Sequence, residues 1–308
     1  MSTMTAKSSG GKAKIPLAFN DSPQAPRTKA WQRFLRVFLG RKVVSFGAVI
    51  IAILILVALT ADWITPYDPY QQNLREALKQ PSSAHLLGTD ALGRDTLSRI
   101  IYGTRTSLAV GINSVGLAAL IGMALGLAAG YLGGWVSTLI MRCVDALMAI
   151  PPLMLALSIG VALGGGLTNV IISLGISLIP TYVRLMRGQV LAVKQSDYVK
   201  ANEVAGASDL RTMMVHVFPN CLSPLIVLIT LNLGVAIIAE AGLSFVGLGI
   251  TPPGAAWGSM VNDGYRYLLT NPVLSFAPGF CVMLVVLAFN LVGDGLRDAL
   301  DPRLRGTL

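Results

Sequence analysis

The chain has 308 residues, of which 54% are hydrophobic and only 13% are charged. Soluble domains carry roughly 25% charged residues, so this composition excludes a soluble enzyme, a nucleic-acid-binding protein and a secreted disulfide-rich module. The formal net charge of +9 is unevenly distributed, because nine of the 24 Lys and Arg residues lie within residues 1–42.

The first predicted segment is this basic tail, residues 1–42. Cytoplasmic flanks of membrane proteins are enriched in Lys and Arg, and basic segments favour the anionic headgroups of membrane lipids. We therefore expect a cytoplasmic tail whose partner is membrane lipid and not nucleic acid.

Six membrane-spanning helices are predicted for the rest of the chain, because about 20 apolar residues cross a bilayer. The apolar run at 146–183 is too long for one span, and three consecutive glycines interrupt it at 164–166. The protein is thus expected to be an all-α integral membrane protein. The predicted spans cover about residues 43–63, 106–133, 138–163, 168–186, 222–247 and 273–293.

Charge predicts the orientation of these spans. Six spans place both termini on one side of the membrane, and the segments on that side hold 18 of the 24 Lys and Arg residues. Because cytoplasmic segments are the ones enriched in Lys and Arg, we predict that both termini and the loop at about 188–220 lie inside. Residues 66–104 are predicted to form a solvated outer loop with a short helix near its end.

Small residues recur at every fourth position in the second predicted span. On a helix this spacing forms one smooth stripe that lets a second helix approach closely. The stripe therefore predicts a packed helix bundle or a subunit interface. Its members are Ser114, Ala118, Gly122, Gly126, Gly130 and Gly134.

No residue pattern in the sequence supports covalent chemistry. A GxxxxGK[ST] phosphate loop, a GxSxG nucleophile motif and an HExxH pair are absent. Cys143, Cys221 and Cys281 are far apart, and His85 and His216 are isolated, so we expect small buried cysteines and no metal site. We assign no catalytic residue and no cofactor, and infer that the driving energy comes from a gradient or a partner.

Two carboxylates lie within or beside the apolar runs, where ionisable residues often serve ion coupling. Asp145 follows Arg142 by three residues, which favours an ion pair between these two side chains at the membrane surface. Glu240 lies deeper, in the fifth span, where it either lines a substrate path or pairs within the bundle.

The loop at about 188–220 has helical periodicity outside the apolar runs. Its apolar residues predict two short amphipathic helices, and Gly206 is expected to adopt the left-handed conformation that ends the first. Ser208 or Asp209 would cap the second helix, and Pro219 would stop it. This arrangement, which we call the elbow (residues 197–220), would form a compact projection on the inner surface of the membrane protein.

The segment YVKANEVAGASDLRTMMVHVFPN, from Tyr198 to Asn220, resembles the cytoplasmic loop of permease subunits of bacterial ATP-binding cassette importers. The family pattern is Glu-Ala-Ala, three residues, Gly, nine residues and Ile-x-Leu-Pro; here a Lys and an Asn replace its Glu and second Ala. The resemblance implies that this loop couples ATPase subunits to the spans. The implied coupling residues are Lys200, Ala201, Asn202, Glu203, Gly206, Ser208, Asp209 and Pro219.

Three further segments narrow the resemblance to the second permease subunit of the dipeptide, oligopeptide and nickel importer group. They are HLLGTDALGRDTLSRIIYG at 85–103, AGLSFVGLGITPPGAAWG at 241–258 and FNLVGDGLRDALDPRLR at 289–305. The resemblance implies a type I importer permease fold over residues 43–305, located in the bacterial inner membrane with both termini inside.

The resemblance also implies partners. These are a second, homologous permease subunit, two ATPase subunits that bind the elbow, and an extracytoplasmic solute-binding protein. ATP hydrolysis would take place in the partners, so this chain would not be an enzyme. Dipeptides or short oligopeptides are the expected cargo, and nickel chelates, glutathione or another small peptide-like solute are the alternatives. The competing hypothesis from a different class is an ion-coupled secondary carrier.

Overall fold

The fold consists of α-helices joined by short connections and by one long loop. The computed structural model describes residue 38, residues 40–250 and residues 253–300; most of the predicted basic tail and residues 301–305 of the predicted transmembrane domain lie outside these residues. The long loop, residues 65–95, contains a 3-10 turn at Leu74–Glu76. The helices are α1 (Lys42–Ile64), α2 (Thr96–Leu132), α3 (Gly134–Met148), α4 (Pro152–Leu163), α5 (Leu167–Lys194), α6 (Asp197–Val204), α7 (Asp209–Phe245), α8 (Trp257–Tyr265) and α9 (Val273–Leu300).

Five of these helices, α1, α2, α5, α7 and α9, are long and apolar enough to cross a membrane. α3 and α4 together form a sixth candidate span, but they meet at an angle of 88°. The predicted third span is therefore not one straight helix. Pro151 and Pro152 explain the break, because proline lacks a backbone N–H and disfavours helical backbone at the residue before it.

The spanning helices extend beyond the apolar runs that predicted them. α2 begins at Thr96, ten residues before the predicted span, because the Asp95 carboxylate caps it by accepting a hydrogen bond from the Ser98 N–H at 2.8 Å. α5 continues to Lys194, eight residues past the predicted span. Hydropathy marks the part of a helix that suits lipid, and the helix itself ends where its backbone is capped.

The glycine stripe of α2 faces α5. A Cβ atom added to Gly122 would lie 2.4 Å from the Tyr182 Cβ, and one added to Gly126 would lie 2.6 Å from the Val183 carbonyl oxygen. Real Cβ atoms do not approach other atoms so closely. Glycine at these two positions is therefore what allows α2 and α5 to lie so close together. We call this contact between α2 and α5 the seam.

Gly134 does not take part in the seam, contrary to the sequence prediction. α2 ends at Leu132, and Gly133 and Gly134 have φ values of +68° and +47°, so the four-residue register stops before position 134. A Cβ atom on Gly134 would have no neighbour within 4 Å.

Two further sequence predictions are corrected around α3. Asp145 forms an ion pair with Arg184 of α5, with 2.7 Å between its Oδ1 and the arginine Nη2, instead of pairing with Arg142. Cys143, expected to be buried, is exposed, whereas Cys221 is buried. The Asp145 ion pair and the exposure of Cys143 depend on which face of α3 meets α5, which spacing along the chain does not define.

The start of α1 and the end of α9 lie side by side. Arg41, which precedes α1, forms an ion pair with Asp298 in the last turns of α9. The first and last spans therefore have these ends on the same side of the bundle, as an even number of crossings requires.

Candidate functional site

The elbow bends where the sequence predicts. α6 ends at Val204, and Gly206 has a φ of +82°. The Ala207 N–H donates to the Asn202 carbonyl at 3.2 Å, which is the hydrogen bond of a helix end closed by a left-handed residue. A glycine is favoured at 206 because other residues are strained in this conformation.

The second limb of the elbow, which is the start of α7, differs from the prediction. Ser208 occupies the N-cap position of α7, but its hydroxyl makes no capping hydrogen bond. Pro219 does not end the helix, because residues 212–217 form a π turn in which the Phe218 N–H donates to the Met213 carbonyl, five residues back. This wider turn accommodates a residue that has no N–H and whose ring crowds the preceding turn. The elbow therefore continues directly into the spanning helix α7.

A partly buried hydrogen bond joins the two limbs of the elbow, which are α6 and the start of α7. The Asn202 side-chain amide donates to the Thr212 hydroxyl at 3.1 Å, and Thr212 is fully buried. Val199 from the first limb and Val217 from the second are fully buried as well. The resemblance implied that Asn202 is a coupling residue that departs from the family pattern, and the structure adds a contact that holds the limbs together.

Sequence reasoning missed the two residues that attach the elbow to the spans. The Tyr131 hydroxyl, in the last turn of α2, donates to Asp209 Oδ1 at 3.1 Å. Lys194, the last residue of α5, donates from Nζ to the Tyr131 carbonyl at 3.0 Å and lies 4.8 Å from the centre of the Tyr131 ring. We call these three residues the clamp. No motif in the sequence indicated it, because its members are far apart along the chain.

The elbow also presents an exposed face. Apolar side chains on it are accessible, among them Val204 at 90%, Leu210 at 67% and Val215 at 57%. Several exposed apolar side chains on one short segment make it a candidate protein interaction site. Of the eight implied coupling residues, Asn202 is half-buried, and the side chain of Glu203 lies outside the described part of the chain. The other six are exposed: Lys200, Ala201, Gly206, Ser208, Asp209 and Pro219.

Glu240 lies inside the bundle formed by this chain. It is fully buried, and its Oε1 accepts a hydrogen bond from the Ser244 hydroxyl at 2.7 Å. The burial of Glu240 disfavours a position on a substrate path, but Ser244 belongs to the same helix, and Glu240 Oε2 has no hydrogen-bond partner in the described part of the chain.

At the other end of the bundle, the long loop and α8 hold the start of α2. Asp95 accepts a hydrogen bond from Ser98, and its Oδ1 lies 2.9 Å from His85 Nδ1. The fully buried Trp257 of α8 donates from Nε1 to the Ile100 carbonyl at 3.0 Å. α2 is thus attached to the long loop at one end and to the elbow at the other.

The long loop also contacts the segment between α8 and α9. The Gln80 amide donates to the Thr270 carbonyl at 2.8 Å. Within the loop, the Lys79 ammonium lies 2.7 Å from Glu76 Oε1 and holds the pKa of that carboxyl below its usual range. These contacts give the surface opposite the elbow a defined shape.

Comparison with protein families finds two matches. Residues 122–306 match the family described as binding-protein-dependent transport system inner membrane component. Residues 29–81 match the N-terminal TM domain of oligopeptide transport permease C. Together they include the seam, the elbow and α7 to α9.

Comparison with individual proteins finds similarity over nearly the whole chain. The glutathione transport system permease protein GsiD of Pectobacterium atrosepticum is 41% identical over 294 residues, which are 95% of this chain and 96% of that protein. A putative peptide transport system permease protein of Brucella suis is 41% identical over 292 residues, covering 94% and 97%.

A solved structure of the MetNI methionine ABC transporter in an inward-facing conformation contains a chain with a similar fold. The TM-score is 0.55 with 19% sequence identity, and the match covers 67% of this chain and 97% of that one. At this identity the likeness shows a common fold and nothing about the solute.

Proposed function

Because this chain belongs to the family of binding-protein-dependent transport system inner membrane components, we propose that it forms half of the path by which an ATP-driven importer takes up dipeptides or short oligopeptides. It is a multi-pass protein of the bacterial inner membrane. The observation that carries the proposal is the elbow, which joins an exposed apolar face to the ends of three spans in a chain of this family.

The cargo is inferred from the relatives. One relative is named as a peptide permease and another as a glutathione permease, at the same 41% identity. Glutathione is itself a tripeptide, so both names describe small peptide-like solutes. We place dipeptides or short oligopeptides first, because the N-terminal match is to an oligopeptide permease. Glutathione is the second candidate, and nickel chelates are a further alternative.

The energy for transport is assigned to partner subunits. The sequence contains no phosphate loop, and the exposed face of the elbow offers a surface on which two ATPase subunits can dock. A second, homologous permease subunit would complete the path, and a solute-binding protein would dock on the long loop. Burial of the Glu240 carboxylate against Ser244 argues against an ion-coupled carrier, because a coupling carboxylate needs access to a water-filled path.

The proposed orientation follows from the charge bias. The elbow and both termini lie in the cytoplasm, where the ATPases have access to ATP, and the long loop lies outside, where the binding protein delivers the solute. The ion pair between Arg41 and Asp298 supports a common side for the two ends of the described chain.

The test is uptake by the reconstituted system. Proteoliposomes containing this chain, its partner permease and the two ATPases, with ATP inside and the binding protein outside, should accumulate a radiolabelled dipeptide. Parallel assays with labelled glutathione and with a nickel chelate identify the cargo. Omission of the ATPases should abolish uptake, and collapse of the proton and sodium gradients should not. Uptake by this chain alone that depends on a gradient would refute the proposal.

A further inference from the structure

We propose that Tyr131 is a positioning residue that transmits movement of the elbow to α2 and α5. This inference rests on the proposed function, since it concerns how an ATP-driven movement at the elbow reaches the spans. Tyr131 is placed for this role because it is the point at which the elbow and two spanning helices meet.

The contacts of Tyr131 join three helix ends. Its hydroxyl donates to the carboxylate of Asp209 at the start of α7, and its carbonyl accepts from the ammonium of Lys194 at the end of α5. The Tyr131 side chain is buried, with 4% exposure, whereas its partner Asp209 is exposed and Lys194 is half-buried, so both hydrogen bonds lie at the edge of the bundle. A charged partner makes each of them stronger than a neutral hydrogen bond. Helix dipoles add to this, since Asp209 lies at a helix N-terminus and Lys194 lies beside two C-termini.

The seam packs α2 and α5 together as one rigid unit over the turns of α2 that precede the clamp. At Gly126 and Gly130 a Cβ atom would lie 2.6 Å from the Val183 carbonyl oxygen and 2.7 Å from the Val190 Cβ. Packing this close leaves no slack for one helix to slide independently of the other. A displacement of Tyr131 therefore moves α2 and α5 together, because neither helix can slide past the other.

The far end of α2 is attached to the opposite surface. The 37 residues of α2 span about 55 Å. Near its start, the Ile100 carbonyl accepts from Trp257 of α8, and the guanidinium of Arg99 donates from Nη1 to the Pro69 carbonyl in the long loop at 3.3 Å. A displacement of the elbow is thus carried along α2 to the long loop and α8, where the solute-binding protein is proposed to dock.

The variant that tests this role is Tyr131→Phe, which removes the hydroxyl and keeps the buried ring and the carbonyl. The control is Tyr182→Phe, which removes the same group from a buried tyrosine of α5 away from the elbow, where the hydroxyl accepts a hydrogen bond from the Asn232 side-chain amide at 3.1 Å. Both variants are assembled with the partner permease, the ATPases and the binding protein. The measurements are ATPase co-purification, ATP hydrolysis with and without loaded binding protein, and solute taken up per ATP hydrolysed.

We expect Tyr131→Phe to retain the ATPases and their basal hydrolysis, because the exposed face of the elbow is unchanged. Solute taken up per ATP and stimulation by loaded binding protein should both fall, by about two- to thirtyfold, the range found for residues that link distant sites. The control should behave as the wild type does. Wild-type uptake in the same vesicles tests the proposed function separately from this inference.

Two results would overturn the role of Tyr131. Wild-type uptake per ATP in Tyr131→Phe would show that the hydrogen bond is not needed for transmission. Loss of the ATPases from the purified complex would show that the hydroxyl serves docking instead. A double-mutant cycle with Asp209→Ala gives an independent measurement. The proposal requires that Tyr131→Phe cause little further loss once the acceptor is gone, and additive losses would contradict it.

Discussion

The seam between α2 and α5 makes a prediction that the structure defines in detail. In Gly126→Ala the new Cβ atom would lie 2.6 Å from the Val183 carbonyl oxygen and 2.7 Å from the Met186 Cβ, whereas ordinary contacts begin at 3.4 Å. The helices must therefore separate by up to about 0.8 Å at this position. Neither neighbouring atom can move away by rotation of a side chain, because one belongs to the backbone and the other is attached to it directly.

The expected cost follows from the overpacking of a dense interior, which is typically about 1–3 kcal/mol. Gly116→Ala is the matched control, since Gly116 lies in the same helix and a Cβ there would have no neighbour within 4 Å. Both variants gain the same helix propensity, so that contribution cancels. Gly126→Ala should thus have a free energy of unfolding about 1–3 kcal/mol below that of Gly116→Ala.

The assay is unfolding of the purified chain in mixed detergent micelles, titrated with a denaturing detergent and followed by helical circular dichroism. Gly175→Ala provides an intermediate case, because its new Cβ atom would meet Leu117 Cδ2 at 2.6 Å, and the end of a leucine side chain can rotate away. Equal stability of Gly126→Ala and Gly116→Ala would refute the argument that the seam depends on the absence of a side chain.

Three other predictions concern orientation and the elbow. Ser83→Cys and Leu269→Cys, in a chain without its native cysteines, should react with an impermeant thiol reagent outside intact cells, whereas Ala201→Cys should not; labelling at 201 would contradict the orientation. Gly206→Val should strain a residue at φ +82° by about 1–2 kcal/mol and weaken ATPase co-purification, so full co-purification would contradict a positioned elbow. Asn202→Ala removes the 3.1 Å bond between the limbs and, at a cost of about 1 kcal/mol, should speed amide hydrogen exchange in the elbow; unchanged exchange would show that the bond is dispensable.

Much of the fold could be predicted from the sequence because the apolar runs are long. The all-α membrane architecture, the family and the importer permease fold that the resemblance implied are confirmed by the family match and by the similarity to the MetNI chain. The predicted ends of the helices were less accurate. Capping by Asp95 extends α2 into a polar segment, and hydropathy does not register such a signal.

The errors share a physical cause. Pro151–Pro152 bends the third span within an apolar run, and Pro219 is accommodated by a π turn instead of ending a helix. Proline has both effects, and the local sequence does not decide between them. The contacts of Asp145 with Arg184 and of Tyr131 with Asp209 depend on which helix faces meet, and that arrangement is fixed only when all the spans pack together.

The seam and the clamp place different demands on α2, and they meet at the neighbouring residues Gly130 and Tyr131. The seam requires the smallest residue at Gly122, Gly126 and Gly130, because the α5 backbone lies against that face. At the end of α2, next to Gly130, the buried Tyr131 joins the helix to α5 and α7. The two demands differ in their expected balance of effects: Gly126→Ala should lower the stability of the bundle more than it lowers uptake per ATP in the complexes that assemble. Tyr131→Phe should lower uptake per ATP more than it lowers stability. If both variants lowered stability and uptake per ATP in the same proportion, α2 would serve only to hold the bundle together.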